Sequence, residues 1–236
     1  LYHQLEIDDP QIGRWIAEEN CFAICGNIDR GVHFQQQASS ADQIRLVRRA
    51  FYALCTHIDH QLRVLIGTLR EEGLLSNTVI CFTSDHGDML GNHGMWAKRL
   101  FYEYSANIPM ILVGADGDDR VGVNRVDHRL VGWCDVMPTL LDLARVEVPA
   151  TVEGLSMVGD QKRDWFYGEV GEDAFSTRMI HDRHYKLIYY PVGDQRQLFN
   201  LEQDPNELVD LSTSPSHRQK LEDLTQILIA QLYGAD

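Results

Sequence analysis

Hydrophobic and polar residues alternate along the chain in two patterns that predict different secondary structures. Between residues 42 and 70 the apolar side chains recur every three or four positions, at 44, 47, 51, 54, 58, 62, 65 and 69. This spacing predicts a long amphipathic helix, with Asp42 as its N-cap and Gly73 just beyond its end. The apolar, β-branched runs TVICFTS (78–84) and IPMILVG (108–114) predict two buried strands.

The order of these elements, a helix followed by a strand, a loop and another strand, indicates an α/β fold. A third strand is predicted in DHRLVGWCD (127–135), followed by a helix in CDVMPTLLDLARV with Pro138 in its first turn. Beyond Pro149 four short runs, DWFYGEV, STRMIHD, HYKLIYYP and RQLFNL, predict a small antiparallel sheet. A closing helix is predicted after Ser214 as N-cap and Pro215. We therefore expect two domains, at residues 1–150 and 151–236.

Composition narrows the possible partners and the cellular compartment. The net charge is −14, from 35 acidic residues against 21 Lys and Arg, which argues against a nucleic-acid or membrane partner. No apolar run reaches about 18 residues, so no membrane span is expected. Five cysteines, at 21, 25, 55, 81 and 134, show no regular spacing, and those at 81 and 134 lie in apolar runs typical of buried residues. We expect a reducing compartment such as the cytoplasm; because the chain begins with Leu1, a periplasmic or secreted protein stays open.

Chemically reactive side chains are concentrated directly after the strand at 78–84. Asp85 and His86 follow it, and Gly87 permits the break in the strand that lets both side chains turn toward one point. A carboxylate oxygen and a neutral imidazole nitrogen can together bind a divalent cation. The alternative is that Asp85 caps a loop and His86 is an ordinary hydrogen-bonded polar residue. Lys98, which follows a glycine-containing loop, favours the first interpretation because its ammonium could bind an anionic group beside the metal.

The segment TVICFTSDHGDMLGNHGMWAKRLFYEYSANIPMILVGA resembles the metal-binding region of the sulfatases, members of the alkaline phosphatase superfamily. The helix before it, the CDVMPTLLDLARVEVPATVEGLSM segment and the runs HYKLIYYP and QLFNLEQDPNELVDLS also resemble that family, so that about residues 42–236 are covered. The resemblance implies part of an alkaline-phosphatase-like mixed sheet flanked by helices, with a small C-terminal antiparallel sheet and a closing helix.

The same resemblance implies a function and roles for individual residues. Sulfatases hydrolyse sulfate esters with a formylglycine nucleophile and a divalent cation, usually Ca²⁺. By position, Asp85 and His86 correspond to metal ligands and Lys98 to the lysine that contacts sulfate. His93 lies in the same loop and is a second candidate for contact with substrate. An imidazole ligand leaves Mn²⁺ or Zn²⁺ possible as the metal.

The formylglycine motif of the family is not found in this sequence. None of the five cysteines begins Cys-x-Pro-x-Arg, no Ser-x-Pro-x-Arg occurs, and the paired aspartates and the Pro-His-x-Pro histidine of the family are not evident; Asp8 and Asp9 are interpreted as a surface turn. We expect residues 1–236 to be the C-terminal part of a longer sulfatase. The isolated piece is predicted to be catalytically inactive and either oligomeric or prone to aggregation, because a sheet edge would be left open.

Two alternative functions remain at this point. A phosphonate monoester or phosphodiester hydrolase shares the Asp-His-Gly and lysine pattern, and a non-catalytic descendant that binds a partner would also retain it. His57 and His60 have a spacing that could seed a zinc site, but both lie off the apolar stripe and are interpreted as solvated. Trp133 is interpreted as a core or sheet residue rather than a platform for a sugar.

Overall fold

A computed structural model of the chain describes residues 6–17, 40–171 and 176–234. In chain order its helices and strands are α1 (Ala41–Glu71), β1 (Ile80–Thr83), α2 (Glu103–Ala106), β2 (Met110–Val113), α3 (Val136–Leu143), β3 (Phe166–Val170), β4 (Thr177–His181), β5 (Tyr185–Tyr190), β6 (Gln195–Asn200) and α4 (Arg218–Tyr233). The described residues fall into two compact units, one of residues 6–9, 40–85 and 108–162, the other of residues 10–17, 86–107, 163–171 and 176–234. The domain boundary near residue 150 stays a prediction. Cys21 and Cys25 lie outside the described residues.

The N-cap of helix α1 lies two residues before the predicted position. The N-cap is Ser40, whose hydroxyl accepts from Gln43 N–H, while Ser40 N–H donates to the Gln43 side chain at 2.8 Å. This reciprocal capping box satisfies two backbone donors, so the expected N-cap Asp42 was wrong. Half of the predicted apolar stripe is exposed: Val47, Leu54, Ile58 and Leu65 are between 47% and 62% exposed. None of the described helices combines the length and apolar character needed to cross a membrane.

Strands β1 and β2 form the two-stranded sheet of the first unit. They pair antiparallel, with Ile80 opposite Val113 and Thr83 opposite Met110. The third strand expected at 127–135 is absent, since residues 127–132 are irregular and Trp133–Asp135 form a 3-10 turn. Arg129 explains part of the difference between the predicted strand and the observed irregular segment. Its guanidinium binds Asp127 and the carbonyl oxygens of Met157 and Gly159, and these hydrogen bonds hold the segment in place of a neighbouring strand.

Helix α3 is tied to the turn that follows it by the buried carboxylate of Asp135. One carboxylate oxygen accepts from Gly132 N–H at 2.9 Å, and the other accepts from Leu155 N–H at 2.7 Å. Thr139 adds a link, because its hydroxyl donates to Asp135 O and accepts from Met157 N–H. Cys134, expected to be buried, is exposed, as is Cys55, whereas Cys81 in β1 is partly buried.

The second unit contains the predicted four-stranded sheet, in the simple order β3-β4-β5-β6 with antiparallel pairing throughout. Successive residues of a strand point to opposite faces, so the sheet builds two hydrophobic clusters. On one face the buried members are Ile180, Leu187, Leu198, Leu224 and Leu228, the last two from α4. On the other they are Trp15, Met89, Met95, Leu100, Tyr102, Ile188, Tyr190 and Phe199. The second cluster places the loop after His86 directly on the sheet.

Candidate active site

Asp85 lies at the end of β1, in the first unit, and is exposed. Beside it, the indole N–H of Trp133 donates to the carbonyl oxygen of Ser84 at 2.6 Å. Trp133 is 54% exposed, so its interpretation as a core or sheet residue was wrong. The hydrogen bond explains how a large aromatic side chain can be held at the surface next to Asp85.

His86 and Lys98, both in the second unit, are in direct contact. His86 Nδ1 lies 2.7 Å from the carbonyl oxygen of Gly87, and its Nε2 lies 2.6 Å from Lys98 Nζ. A carbonyl oxygen only accepts, so Nδ1 carries the proton, and Nε2 is then the acceptor for the lysine ammonium. The two residues, twelve positions apart in the sequence, therefore share one polar site.

Gly87 is needed here for a steric reason. A Cβ at this position would lie 2.1 Å from the carbonyl oxygen of Tyr104, far inside van der Waals contact. The backbone N–H of Gly87 donates to Ser105 O at 2.8 Å, which fixes this close approach. Gly87 is therefore required for its missing side chain, and not only for the backbone freedom that the sequence suggests.

The loop from His86 to Glu103 contains four non-glycine residues with left-handed backbone conformation. Their φ angles are 48° at Leu90, 53° at His93, 63° at Ala97 and 75° at Arg99. Such conformations are costly for residues with a side chain and persist only where the surroundings impose them, often at functional sites. Lys98 stands directly between two of them, Ala97 and Arg99.

His93, the second catalytic candidate, belongs to this loop, and its side chain is fully buried rather than exposed. Its Nδ1 accepts from Gly13 N–H at 3.1 Å, and its ring centroid lies 5.2 Å from that of Trp15 and 5.1 Å from that of Tyr102. Burial lowers the pKa of His93 to about 4, against the opposing effect of Asp204. The catalytic role stays a prediction; a buried neutral ring of this kind is suited to holding the loop.

Asp85 and His86, the two predicted metal ligands, can each be compared with what a divalent cation requires. His86 donates from Nδ1 to a backbone carbonyl, as metal-binding histidines often do, but in this structure its Nε2 lone pair accepts from Lys98. Asp85 offers the oxygen donor that Ca²⁺ prefers. Among the residues that the structure describes, no group of three His, Cys, Asp or Glu side chains is arranged to hold a metal. Each donor atom is of a type that binds divalent cations, and the metal role of both residues stays a prediction.

A buried ion cluster close to the loop was not anticipated from the sequence. Lys186 of β5 contacts the carboxylates of Glu103 and Glu207 and the carbonyl oxygen of Phe101. In the sequence a lysine within the strand HYKLIYYP looks like an exposed position of an alternating strand. Its partners lie 83 and 21 positions away, so no local pattern points to them.

Comparisons with known proteins agree with this architecture. The family model for N-sulphoglucosamine sulphohydrolase, C-terminal, matches residues 91–233, and the Sulfatase model matches residues 25–146. An arylsulfatase of Clostridium perfringens is 31% identical over 244 residues, covering 100% of this chain but 50% of its own length. The chain thus spans about half the length of that relative.

Solved structures show the same fold. A 2-O GAG sulfatase superposes with a TM-score of 0.82 at 23% identity, over 97% of this chain and 53% of that one. A phosphonate monoester hydrolase of Silicibacter pomeroyi gives a TM-score of 0.80 at 23% identity, over 100% of this chain and 52% of that one. The fold is therefore of the alkaline-phosphatase-like α/β class, as predicted. With the two matching family models, the chain belongs to the sulfatase family of that superfamily.

Proposed function

We propose that the full-length protein carrying this chain hydrolyses sulfate esters, with Lys98 and His86 beside the sulfate group. The observation that carries the proposal is the 2.6 Å contact between Lys98 Nζ and His86 Nε2, at a loop whose backbone is held in strained conformations. An ammonium next to a potential metal ligand concentrates positive charge in a chain of net charge −14. A small anionic substrate needs such a local positive region to approach.

Each residue has a distinct role in this proposal. Asp85 and His86 would hold the divalent cation, most simply Ca²⁺, whose chemical contribution is to polarise the sulfate oxygens. The Lys98 ammonium binds a sulfate oxygen and stabilises the negative charge that develops on the leaving group. The nucleophile, a formylglycine in the family, would come from a part of the protein that this sequence does not contain. We accordingly propose that the 236-residue chain alone is inactive, and measurable sulfate release by the purified chain would refute this.

Paired assays of the full-length protein test the proposal. We would compare kcat/KM for an aryl sulfate, a phosphonate monoester and a phosphodiester that share one leaving group, with Lys98→Met as the site control. Preference for the aryl sulfate, lost in Lys98→Met, supports the assignment. A higher kcat/KM for the phosphonate monoester or the phosphodiester would instead support assignment to the phosphonate hydrolases. If the full-length sequence carries a formylglycine motif and none of the three is hydrolysed, the hydrolase proposal fails and a non-catalytic binding role takes its place.

A further inference from the structure

Lys186 is an ionised side chain in the interior of the second unit. Its side chain is 2% exposed, and that of its partner Glu207 is 0% exposed. The ammonium donates to Phe101 O at 2.8 Å, to Glu207 Oε1 at 3.0 Å and to Glu103 Oε1, so all three of its donors are used. Burial lowers the pKa of Lys186, but Glu207 and Glu103 outweigh burial and raise it above its usual value. The lysine therefore stays charged.

Two of the three acceptors of Lys186 lie just after Lys98 in the chain. Phe101 and Glu103 are three and five residues beyond it, and Glu103 N–H is itself bound by Glu207 Oε2 at 2.7 Å. Between them, the buried Tyr102 donates from its hydroxyl to Gln197 Oε1 of β6 at 2.7 Å. The segment that leaves Lys98 is therefore bonded to the C-terminal sheet at three consecutive residues.

The other features of this segment show why such bonding is needed. Ala97 and Arg99, on either side of Lys98, have φ angles of 63° and 75°. A strained backbone of this kind relaxes unless neighbouring structure prevents it. The ring of Phe101 also fits against Gly168 of β3, where a Cβ would come within 2.7 Å of a ring atom. The sheet surface is thus shaped to receive the residues that follow Lys98.

We propose that Lys186 is a positioning residue for the active site: with Glu103 and Glu207 it fixes the end of the loop and thereby the backbone of Lys98. The proposal rests on the function proposed above for Lys98. Lys186 itself touches no substrate in this arrangement. Its contribution is to keep the catalytic ammonium in register with the sulfate, where a displacement of about 1 Å can lower a rate on the order of 100-fold.

The first test uses hydrogen exchange on the purified 236-residue chain and requires no activity. In Lys186→Met, peptides covering residues 99–107 should exchange about tenfold faster than in the unmodified chain. Lys220→Met is the matched control, since Lys220 makes an ion pair with Asp182 at 2.6 Å in the same unit. It should leave the exchange of residues 99–107 unchanged. Equal protection of this segment in all three proteins would overturn the proposal.

The second test separates positioning from stability in the full-length protein. Lys186→Met leaves buried carboxylates without a counter-charge, so it lowers the melting temperature; adding Glu207→Gln removes one of these charges and should recover much of it. If Lys186 positions Lys98, kcat/KM for an aryl sulfate stays reduced by about 100-fold in the double variant, mainly through kcat. Lys186→Arg, which keeps the charge, should restore part of the activity. Recovery of kcat/KM together with stability in the double variant would show a merely structural role.

The two tests also distinguish this proposal from the proposed function. If the unmodified full-length protein hydrolyses no sulfate ester, the assignment of Lys98 fails, and with it the catalytic part of the proposal. The exchange measurement would still report whether Lys186 holds the segment after Lys98.

Discussion

The ammonium of Lys98 donates a hydrogen bond to Nε2 of His86 across 2.6 Å. The donation is possible because Nδ1 of the same ring carries the proton that it gives to Gly87 O. The single lone pair of Nε2 is thereby taken by the ammonium, which would have to turn away for this nitrogen to bind a metal. Two groups proposed for different tasks, metal binding and sulfate binding, lie within one hydrogen bond of each other.

Replacing Lys98 should impair catalysis more than binding. In the full-length protein, we expect Lys98→Met to lower kcat/KM for an aryl sulfate about 100- to 1000-fold, since the ammonium stabilises charge that appears in the transition state. Lys98→Arg keeps the charge and should lose less. Steady-state kinetics provides the measurement, and the exposed Lys162→Met is the control. If kcat/KM is unchanged in the Lys98→Met enzyme, Lys98 takes no part in the reaction.

Removing the imidazole of His86 should weaken metal binding. The full-length protein is expected to lose activity on chelation and to regain it with Ca²⁺, and His86→Ala should raise the Kd for Ca²⁺ about 10- to 100-fold. His86→Asn, which offers an oxygen ligand, should retain Ca²⁺ but bind Zn²⁺ less well, because zinc prefers nitrogen. Calorimetric titration of each metal into metal-free protein measures this without an activity assay. If His86→Ala binds Ca²⁺ as tightly as the unmodified protein, His86 is not a ligand.

The proximity of His86 and Lys98 could be anticipated from sequence, because both residues lie in one short loop. Asp85 directly precedes that loop, and its role as a ligand stays a prediction. Lys186 could not be identified, because its environment is created by residues brought together only by the folded sheet. Trp133 was placed in a strand because its neighbours are apolar, although the hydrogen bonds of Arg129 and Asp135 decide the local structure.

Helices and strands could be predicted from the sequence wherever the pattern of hydrophobic residues was regular. The four C-terminal strands alternate between two buried faces, and each was predicted to within a few residues. The N-cap of α1 was placed at Asp42 instead of Ser40, because both residue types cap helices and only the reciprocal bond with Gln43 selects one. The exposure of α1 could not be anticipated, since an apolar stripe gives no information about what covers it.

The buried His93 should make the stability of the chain depend on pH between 4 and 6.5. Its pKa is about 4 in the folded chain, against about 6.5 in an unfolded one, so the unfolded state binds more protons in this range. The contribution of the neutral ring is complete above pH 6.5 and declines as the pH falls toward 4, by about 3 kcal/mol in the free energy of unfolding.

Urea unfolding of the 236-residue chain at several pH values measures this contribution. His93→Asn removes the titration, tolerates the left-handed backbone and retains an acceptor for Gly13 N–H. It should lower stability at pH 7 and flatten the pH dependence. The exposed His60→Asn is the control and should keep the unmodified slope. Parallel curves for the His93→Asn variant and the unmodified chain would contradict the prediction.

The uncovered face of α1 should cause the isolated chain to self-associate. Val47, Leu54, Ile58 and Leu65 recur at i, i+4 and i+7 spacing and form one apolar strip, each at least 47% exposed. Light scattering on the eluate of a sizing column should show a mass that rises with protein concentration. Leu54→Lys with Ile58→Lys should reduce this association, because charges on the strip oppose its burial. His57→Lys with His60→Lys adds the same two lysines outside the strip and should leave the association intact. If both pairs of substitutions reduce it equally, net charge is responsible, and the α1 face is not the surface of contact.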